Sequence, residues 1–218
     1  MADVLERARQ STGISFPSIF GMAVDVLRRE GVRGATLVDV GCGRGALRRH
    51  VQPHCSRYIG LDILRWEDFP ADAEFEQVDL ETGRSGLPDA TADVVVSLET
   101  IEHLENPRAV VRELARLARP GGLILVSTPN QLSLGSKLCL LLKNQHREFQ
   151  APSYPAHLTA LLEIDLIRIA TECGLAGAQI VYNAEGRVPL GPWRYPRFLC
   201  RMFPRALSDF VMLVATKP

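Results

Sequence analysis

The sequence predicts an α/β fold: a doubly wound, mostly parallel sheet of seven strands with helices on both faces and an antiparallel C-terminal strand. Three observations carry this. Short apolar, β-branched runs alternate with amphipathic helical stretches, as in units whose parallel strands are buried on both faces. The first such run, ATLVDV, passes directly into the glycine loop GCGRG at 41–45. The chain closes with two strand-like runs suited to antiparallel pairing.

The elements follow in order. Residues 1–30 read as an N-terminal helical segment, because MAVDVLRREGVRG carries apolar residues at helical spacing and stops at Gly31. ATLVDVG is the first buried strand. ALRRHVQPH reads as a helix stopped at Pro53, RYIGLDI as the second strand and AEFEQVDLE as a short third strand with an acidic end. ADVVVSL is the fourth. PRAVVRELARLA is an amphipathic helix with proline in its first turn. PGG suits a type II turn before the fifth strand, LILVSTPN. EIDLIRIATECGL resumes as a helix, and AGAQIVYN and DFVMLVATK are the last two strands.

Two stretches break the alternation. Residues 131–158 form a lid or insert, a Leu-rich helix followed by a polar, proline-bearing loop. The Leu-rich face is expected to pack as core. Residues 184–208 are rich in Pro, Arg and aromatics, and are expected to cover the last strands. Trp193, Tyr195 and Phe198 among Arg194, Arg197, Arg201 and Arg205 also suit a phosphorylated or lipid-linked acceptor, or RNA.

The bulk numbers describe one domain, 1–218, able to bury a full core. Hydrophobic residues are 46% and charged residues 23%, with zero net charge, so charge balance gives no reason to expect nucleic acid or an anionic membrane. The five cysteines, 42, 55, 139, 173 and 200, are scattered without a CxxC pair and read as reduced thiols of a cytoplasmic protein. The charged N-terminus does not read as a signal peptide, and no apolar run reaches the roughly 20 residues of a membrane span. Peripheral membrane contact stays open.

Gly41, Gly43 and Gly45 permit a tight turn and close approach of a ligand to backbone, ahead of a helix start with free N–H groups. Gly41-x-Gly43-x-x-Ala46 also fits the dinucleotide fingerprint. Asp62 ends the second strand at the distance expected of a ribose-gripping carboxylate. Arg44 within the loop is expected to be solvated. These features indicate a nucleoside cofactor without saying which.

Five motifs in order narrow the choice. VDVGCGRG, GLDI, VDLE, ADVVVSLETIEHLENP and LARPGGLILVSTPN resemble the five motifs of class I S-adenosylmethionine-dependent methyltransferases, strongly over Thr36–Asn130 and weakly beyond. The resemblance implies a Rossmann-like fold and roles for named residues. Asp39, Gly41, Cys42, Gly43 and Gly45 would hold the methionine end and sugar. Asp62, with Ile63 beside it, would accept the ribose hydroxyls. Asp79 would meet the adenine amino group, with Leu80 against the ring, and Leu98 and Glu99 would flank the methyl.

ETIEHL places Glu99, Glu102 and His103 where the methyl acceptor would arrive. The phrase resembles two branches of the family: the ubiquinone-biosynthesis O-methyltransferases, and the small-RNA 2′-O-methyltransferases that hold a metal through E-x-x-E-H and a downstream histidine. Three readings stay open. His103 could be a general base oriented by Glu102, with His157 in the same site. Glu99, Glu102 and His103 could hold a divalent cation such as Mg that acidifies an acceptor hydroxyl. The three could instead be structural. His146 is the other downstream candidate; His50 and His54 read as surface residues at a helix end.

The expected activity is transfer of a methyl group to an oxygen of a small or lipid-linked acceptor, with nucleic acid the less favoured substrate. RNA 2′-O-methylation is the alternative within the class. A nucleoside-cofactor oxidoreductase and a non-catalytic cofactor-binding protein are the alternatives outside it.

Overall fold

The computed structural model describes residues 4–82, 84–189 and 191–218. Residues 1–3 of the expected N-terminal helical segment and Leu190 of the 184–208 segment lie outside the described residues. The strands are β1 Ala35–Val40, β2 Cys55–Asp62, β3 Glu74–Gln77, β4 Ala92–Leu98, β5 Ala118–Pro129, β6 Ala176–Tyr182 and β7 Phe210–Thr216. They form one seven-stranded sheet in the order β3-β2-β1-β4-β5-β7-β6. β1 pairs in parallel with β2 and β4, and β4 with β5, whereas β7 runs antiparallel to both β5 and β6.

The double winding is written in the strand alternation. Val38, Val95, Ile124, Val126, Val211 and Leu213 point to one face; Leu37, Val94, Val96, Leu125, Met212 and Val214 point to the other. The first face is covered by helices α4, Pro107–Leu117, and α6, Glu163–Glu172, through Val110, Val111, Leu114, Leu166 and Ile169. The second is covered by α2, Pro17–Arg29, through Ile19, Phe20, Ala23, Val26 and Leu27. α4 starts where Asn106 accepts a hydrogen bond from the Ala109 N–H at 3.1 Å and Pro107 occupies the first turn, both favourable starts.

Four local readings change. The N-terminal segment is two helices, α1 Val4–Gln10 and α2, separated by a loop. Gly13 in that loop has φ of +61°, and a Cβ there would sit 2.8 Å from the Trp66 indole nitrogen. The helix expected over ALRRHVQPH shrinks to one turn, α3 Arg48–Val51. The PGG turn lies within β5 as an irregularity in its pairing with β4, with Gly121 at φ +75°. Helix α5, Leu134–Lys143, does not pack its leucines as core. Leu140, Leu141 and Leu142 are exposed, because only Gly135 and Ser136 of that helix are buried.

The segment after β6 carries a bridge between Arg187 and Arg194, then α7 Arg197–Met202 and α8 Pro204–Leu207. The Asn130 amide ties its end to β5 by donating to the carbonyls of Arg205 and Ser208, 2.8 Å each. His54 is buried and its Nδ1–H donates to the Val32 carbonyl at 2.9 Å, so it is not a surface residue. His50 stacks on Phe20.

Candidate functional site

The carboxyl ends of β1, β2 and β4 open into a cavity of about 430 Å³. An open α/β sheet binds ligands at this position, where neighbouring crossovers leave in opposite directions. Gly41, Cys42, Gly43, Asp62, Ile63, Asp79, Leu80, Leu98 and Glu99 line it, and so do Glu102, His103 and His157. Asp39 sits behind the loop in a small adjoining pocket with Gly41, Cys42 and Leu98.

Backbone geometry explains two of the glycines. Gly41 has φ of +76°, and a Cβ there would meet the Thr100 hydroxyl oxygen at 2.2 Å. Gly43 has φ of +52°, and its Cβ would meet the Gly13 carbonyl oxygen at 2.5 Å. Gly45 lines no part of the cavity; a Cβ there would strike Pro70 and Phe69. Arg44 is not simply solvated. Its guanidinium donates to the Thr12 carbonyl and to Asp68, both at 2.9 Å, and lies over the Trp66 ring.

The Asp62 carboxylate accepts the Gly43 N–H at 2.8 Å and the Leu64 N–H at 3.1 Å, which fixes it at the end of β2. Burial raises its pKa, and these N–H groups oppose the shift. Asp79 accepts from the Glu81 N–H and the Thr82 hydroxyl, 2.9 Å each, so it organises its own turn while lining the cavity. Asp39 is buried and accepts the Tyr58 hydroxyl at 2.5 Å. Burial pushes its carboxyl up to about 7, with the hydroxyl pulling the other way.

At the other end the side chains converge. Glu102 is fully buried; one carboxylate oxygen accepts the Thr128 hydroxyl at 3.2 Å, and the other, Oε1, has no hydrogen-bond partner among the described residues. Burial pushes this carboxyl up to about 8. His103 and His157 each turn Nδ1 to a backbone carbonyl, of Ala156 at 2.8 Å and of Glu148 at 2.6 Å. A carbonyl only accepts, so each Nδ1 carries the proton and each Nε2 keeps its lone pair. The rings meet edge-on at 4.8 Å between centroids. Burial lowers both pKa values, His103 to about 4 with His157 also contributing.

Glu102, His103 and His157 each offer one ligand atom, and these atoms lie within 4.8 Å of one another. His157 joins Glu102 and His103 in this group, and the Glu99 carboxylate accepts the Ser127 hydroxyl at 2.9 Å. Glu99 has φ of +53°, a strained position for a residue with a Cβ. His146 is not in the cavity; its ring meets the Ser136 hydroxyl at 3.2 Å.

The rest of the wall was not legible as a site. Arg7, Ser11 and Ile14–Phe16 close one side. Arg7 is buried and latched to Glu81 at 2.8 Å and Glu105 at 3.1 Å. The helix break at Ser11–Gly13 was the available signal. Glu148, Pro152 and Ser153, from the strap after α5, close another side.

The buried carboxyls set a pH dependence of folding. Asp39 and Glu102 hold protons in the folded chain that the unfolded chain has already lost, so stability falls as pH rises. The depressed histidines act oppositely, but only below about pH 6.5, where unfolded histidine titrates. The ligand-free unfolding midpoint should therefore drop between about pH 6.5 and 8. Asp39→Asn should flatten that slope in a thermal melt; an unchanged slope would refute the assignment.

The profile of a family described as a methyltransferase domain matches residues 21–179. A probable S-adenosylmethionine-dependent methyltransferase of Mycolicibacterium smegmatis is 37% identical over 177 residues, 73% of this chain and 67% of that protein. A ubiquinone biosynthesis O-methyltransferase of Aeromonas salmonicida is 31% identical over 110 residues, 46% of each chain, so the match spans about half of that relative. In fold, the crystal structure of a SAM dependent methyltransferase from Archaeoglobus fulgidus superimposes with a TM-score of 0.62 at 19% identity, over 91% of this chain and 94% of the other.

Proposed function

The chain belongs to the S-adenosylmethionine-dependent methyltransferases, and on that premise we propose that it methylates an oxygen of a small or lipid-linked acceptor by in-line displacement. The observation that carries the proposal is one cavity lined at one end by the glycine loop and Asp62 and at the other by Glu102, His103 and His157. Residues 1–218 act as one methyltransferase domain, with 131–158 as the acceptor-side insert and 184–208 as a variable surface segment. We place it in the cytoplasm, in keeping with five cysteines that are all free thiols.

The protein's own groups suit the cofactor. Gly41 and Gly43 leave a cradle that any Cβ would fill. Asp62 is held by two backbone N–H groups, so its remaining acceptor capacity would take the ribose hydroxyls. Asp39 and Cys42 would lie by the methionine end, Ile63, Asp79 and Leu80 by the adenine, and Leu98 and Glu99 beside the methyl. The sulfonium makes the methyl electrophilic; the site aligns the acceptor oxygen with it and excludes water.

The acceptor proton must also leave. A His103 imidazole held at about 4 is a weak base for a hydroxyl. Glu102, with its orphaned oxygen, His103 and His157 instead offer the donor set of a divalent-cation site. A bound divalent cation would acidify the hydroxyl. The chain's residues then position that hydroxyl, with His103 and His157 locked by the carbonyls behind them. The same cluster also suits a ribose 2′-hydroxyl. In that second reading, activity on RNA would show a steep salt dependence of binding.

Calorimetry with S-adenosylhomocysteine tests the cofactor assignment. Asp62→Ala should weaken binding about 10- to 100-fold, the worth of hydrogen bonds to a charged group. Unchanged affinity would refute the role given to Asp62.

A further inference from the structure

The zero net charge of the chain conceals a segregation. Residues 131–147 contain Lys137, Lys143 and Arg147, residues 186–208 contain five arginines, and neither stretch has an Asp or Glu. Eight of the 25 basic residues and none of the 25 acidic ones fall there, so the remainder, with 17 basic residues, is acidic. The same two stretches hold most of the large apolar side chains left in solvent. Leu141 is 81% exposed, Leu142 67%, Trp193 69% and Phe198 63%, with Leu134, Leu140, Met202 and Phe203 also exposed.

The two stretches are joined in space. Arg147, just beyond α5, packs its guanidinium where a Cβ on Gly135 would be and donates to the Arg187 carbonyl at 3.4 Å. Arg187 faces Arg194 across the bridge that precedes α7. The patch adjoins the wall of the cavity, because Glu148, which lines it, pairs with Arg187 at 2.6 Å.

We propose that this basic, apolar surface of α5 and the 186–208 segment docks on an anionic lipid bilayer, with the wall of the cavity beside it. Exposed leucines and phenylalanines would enter the headgroup boundary, while lysines and arginines at the same level meet anionic headgroups. Trp193 is the residue type that sits at that boundary. Arg147, Arg187, Arg194, Arg197 and Arg205 pair with Glu148, Asp209, Glu185 or Glu163; Lys137, Lys143 and Arg201 supply the charge complementary to such a membrane. Aliphatic Leu140–Leu142 have no stacking surface to offer a nucleic acid, so a bilayer fits better than RNA. Among the described residues no helix is long and apolar enough to cross a membrane, and surface docking needs none. The inference extends the reading of a lipid-linked acceptor but does not depend on the methyl-transfer chemistry.

Vesicle sedimentation of the full chain tests it. Binding should be at least about tenfold greater on vesicles of phosphatidylcholine with phosphatidylglycerol than on phosphatidylcholine alone, and should weaken in high salt. The pair Lys137→Glu and Lys143→Glu, the pair Leu141→Ser and Leu142→Ser, and the single change Arg201→Glu should each reduce binding. Their unfolding midpoints and S-adenosylhomocysteine affinity should match the parent, which separates lost docking from lost fold and from failure of the cofactor assignment. No preference for the anionic vesicles, or binding unaltered in all three variants, would overturn the proposal. So would displacement from vesicles by a single-stranded RNA oligonucleotide at lower concentration than an equally charged polyanion.

Discussion

Replacing Glu102 with glutamine is expected to cut methyl transfer by about 10²- to 10⁴-fold, in the range of a lost acid–base or metal-assisted step. The fold should survive. Glu102 is buried with one oxygen unpartnered, and its carboxyl is pushed up to about 8. At pH 7 the ligand-free protein holds it mainly protonated, so the isosteric amide resembles the native group. The unfolding midpoint should hold or rise, and S-adenosylhomocysteine affinity should stay close to the parent's. The combination decides between roles. A structural glutamate would lose stability and activity together, whereas a ligand or proton-handling group loses only activity. His157→Ala should behave similarly in rate, since His157 and His103 present matched lone pairs. Full activity of the chelator-treated enzyme would refute the cation while leaving the acceptor site standing.

Gly41→Ala is expected to cause a large loss of stability for a single added methyl group. Its φ of +76° disfavours any side chain, and the added carbon would lie 2.2 Å from the Thr100 hydroxyl. Backbone strain and overpacking are each worth about 1–3 kcal/mol, so together roughly 2–6 kcal/mol. For a chain of this size that lowers the unfolding midpoint by roughly 4–24 °C. Thr100 stands between the strained Glu99 and the 3-10 turn Ile101–His103. A displaced Thr100 would therefore misplace the acceptor end as well, and activity should fall at temperatures where the variant is still folded. A midpoint within a degree of the parent would show that the loop tolerates a Cβ.

Much of the site is local in the chain, which is why it could be read there. The glycine loop follows an apolar strand by chain continuity alone, and Asp62 and Glu99 sit at strand ends because β2 and β4 end there. The parts that were missed are long-range or depend on burial. The Arg7 latch needs α1 folded back onto Glu81 and Glu105. The exposure of the α5 leucines needs the knowledge that no neighbour covers that end of the helix. A Leu-rich helix has the same apolar pattern whether it lies in a core or on a surface, and only its surroundings separate the two.

What belonged to the sequence alone was the sheet, its glycine loop and the E-x-x-E-H phrase, because short continuous apolar, β-branched runs and a glycine turn are local properties. What tertiary structure decided was which groups act together. It brought His157 to His103, favoured neutral imidazoles by burying both rings while carbonyls hold Nδ1, left Glu102 buried with an unpartnered oxygen and turned Glu99 toward Ser127. The reason is physical. Protonation and ligand geometry depend on burial and on partners far away in the chain, and neither is visible in spacing.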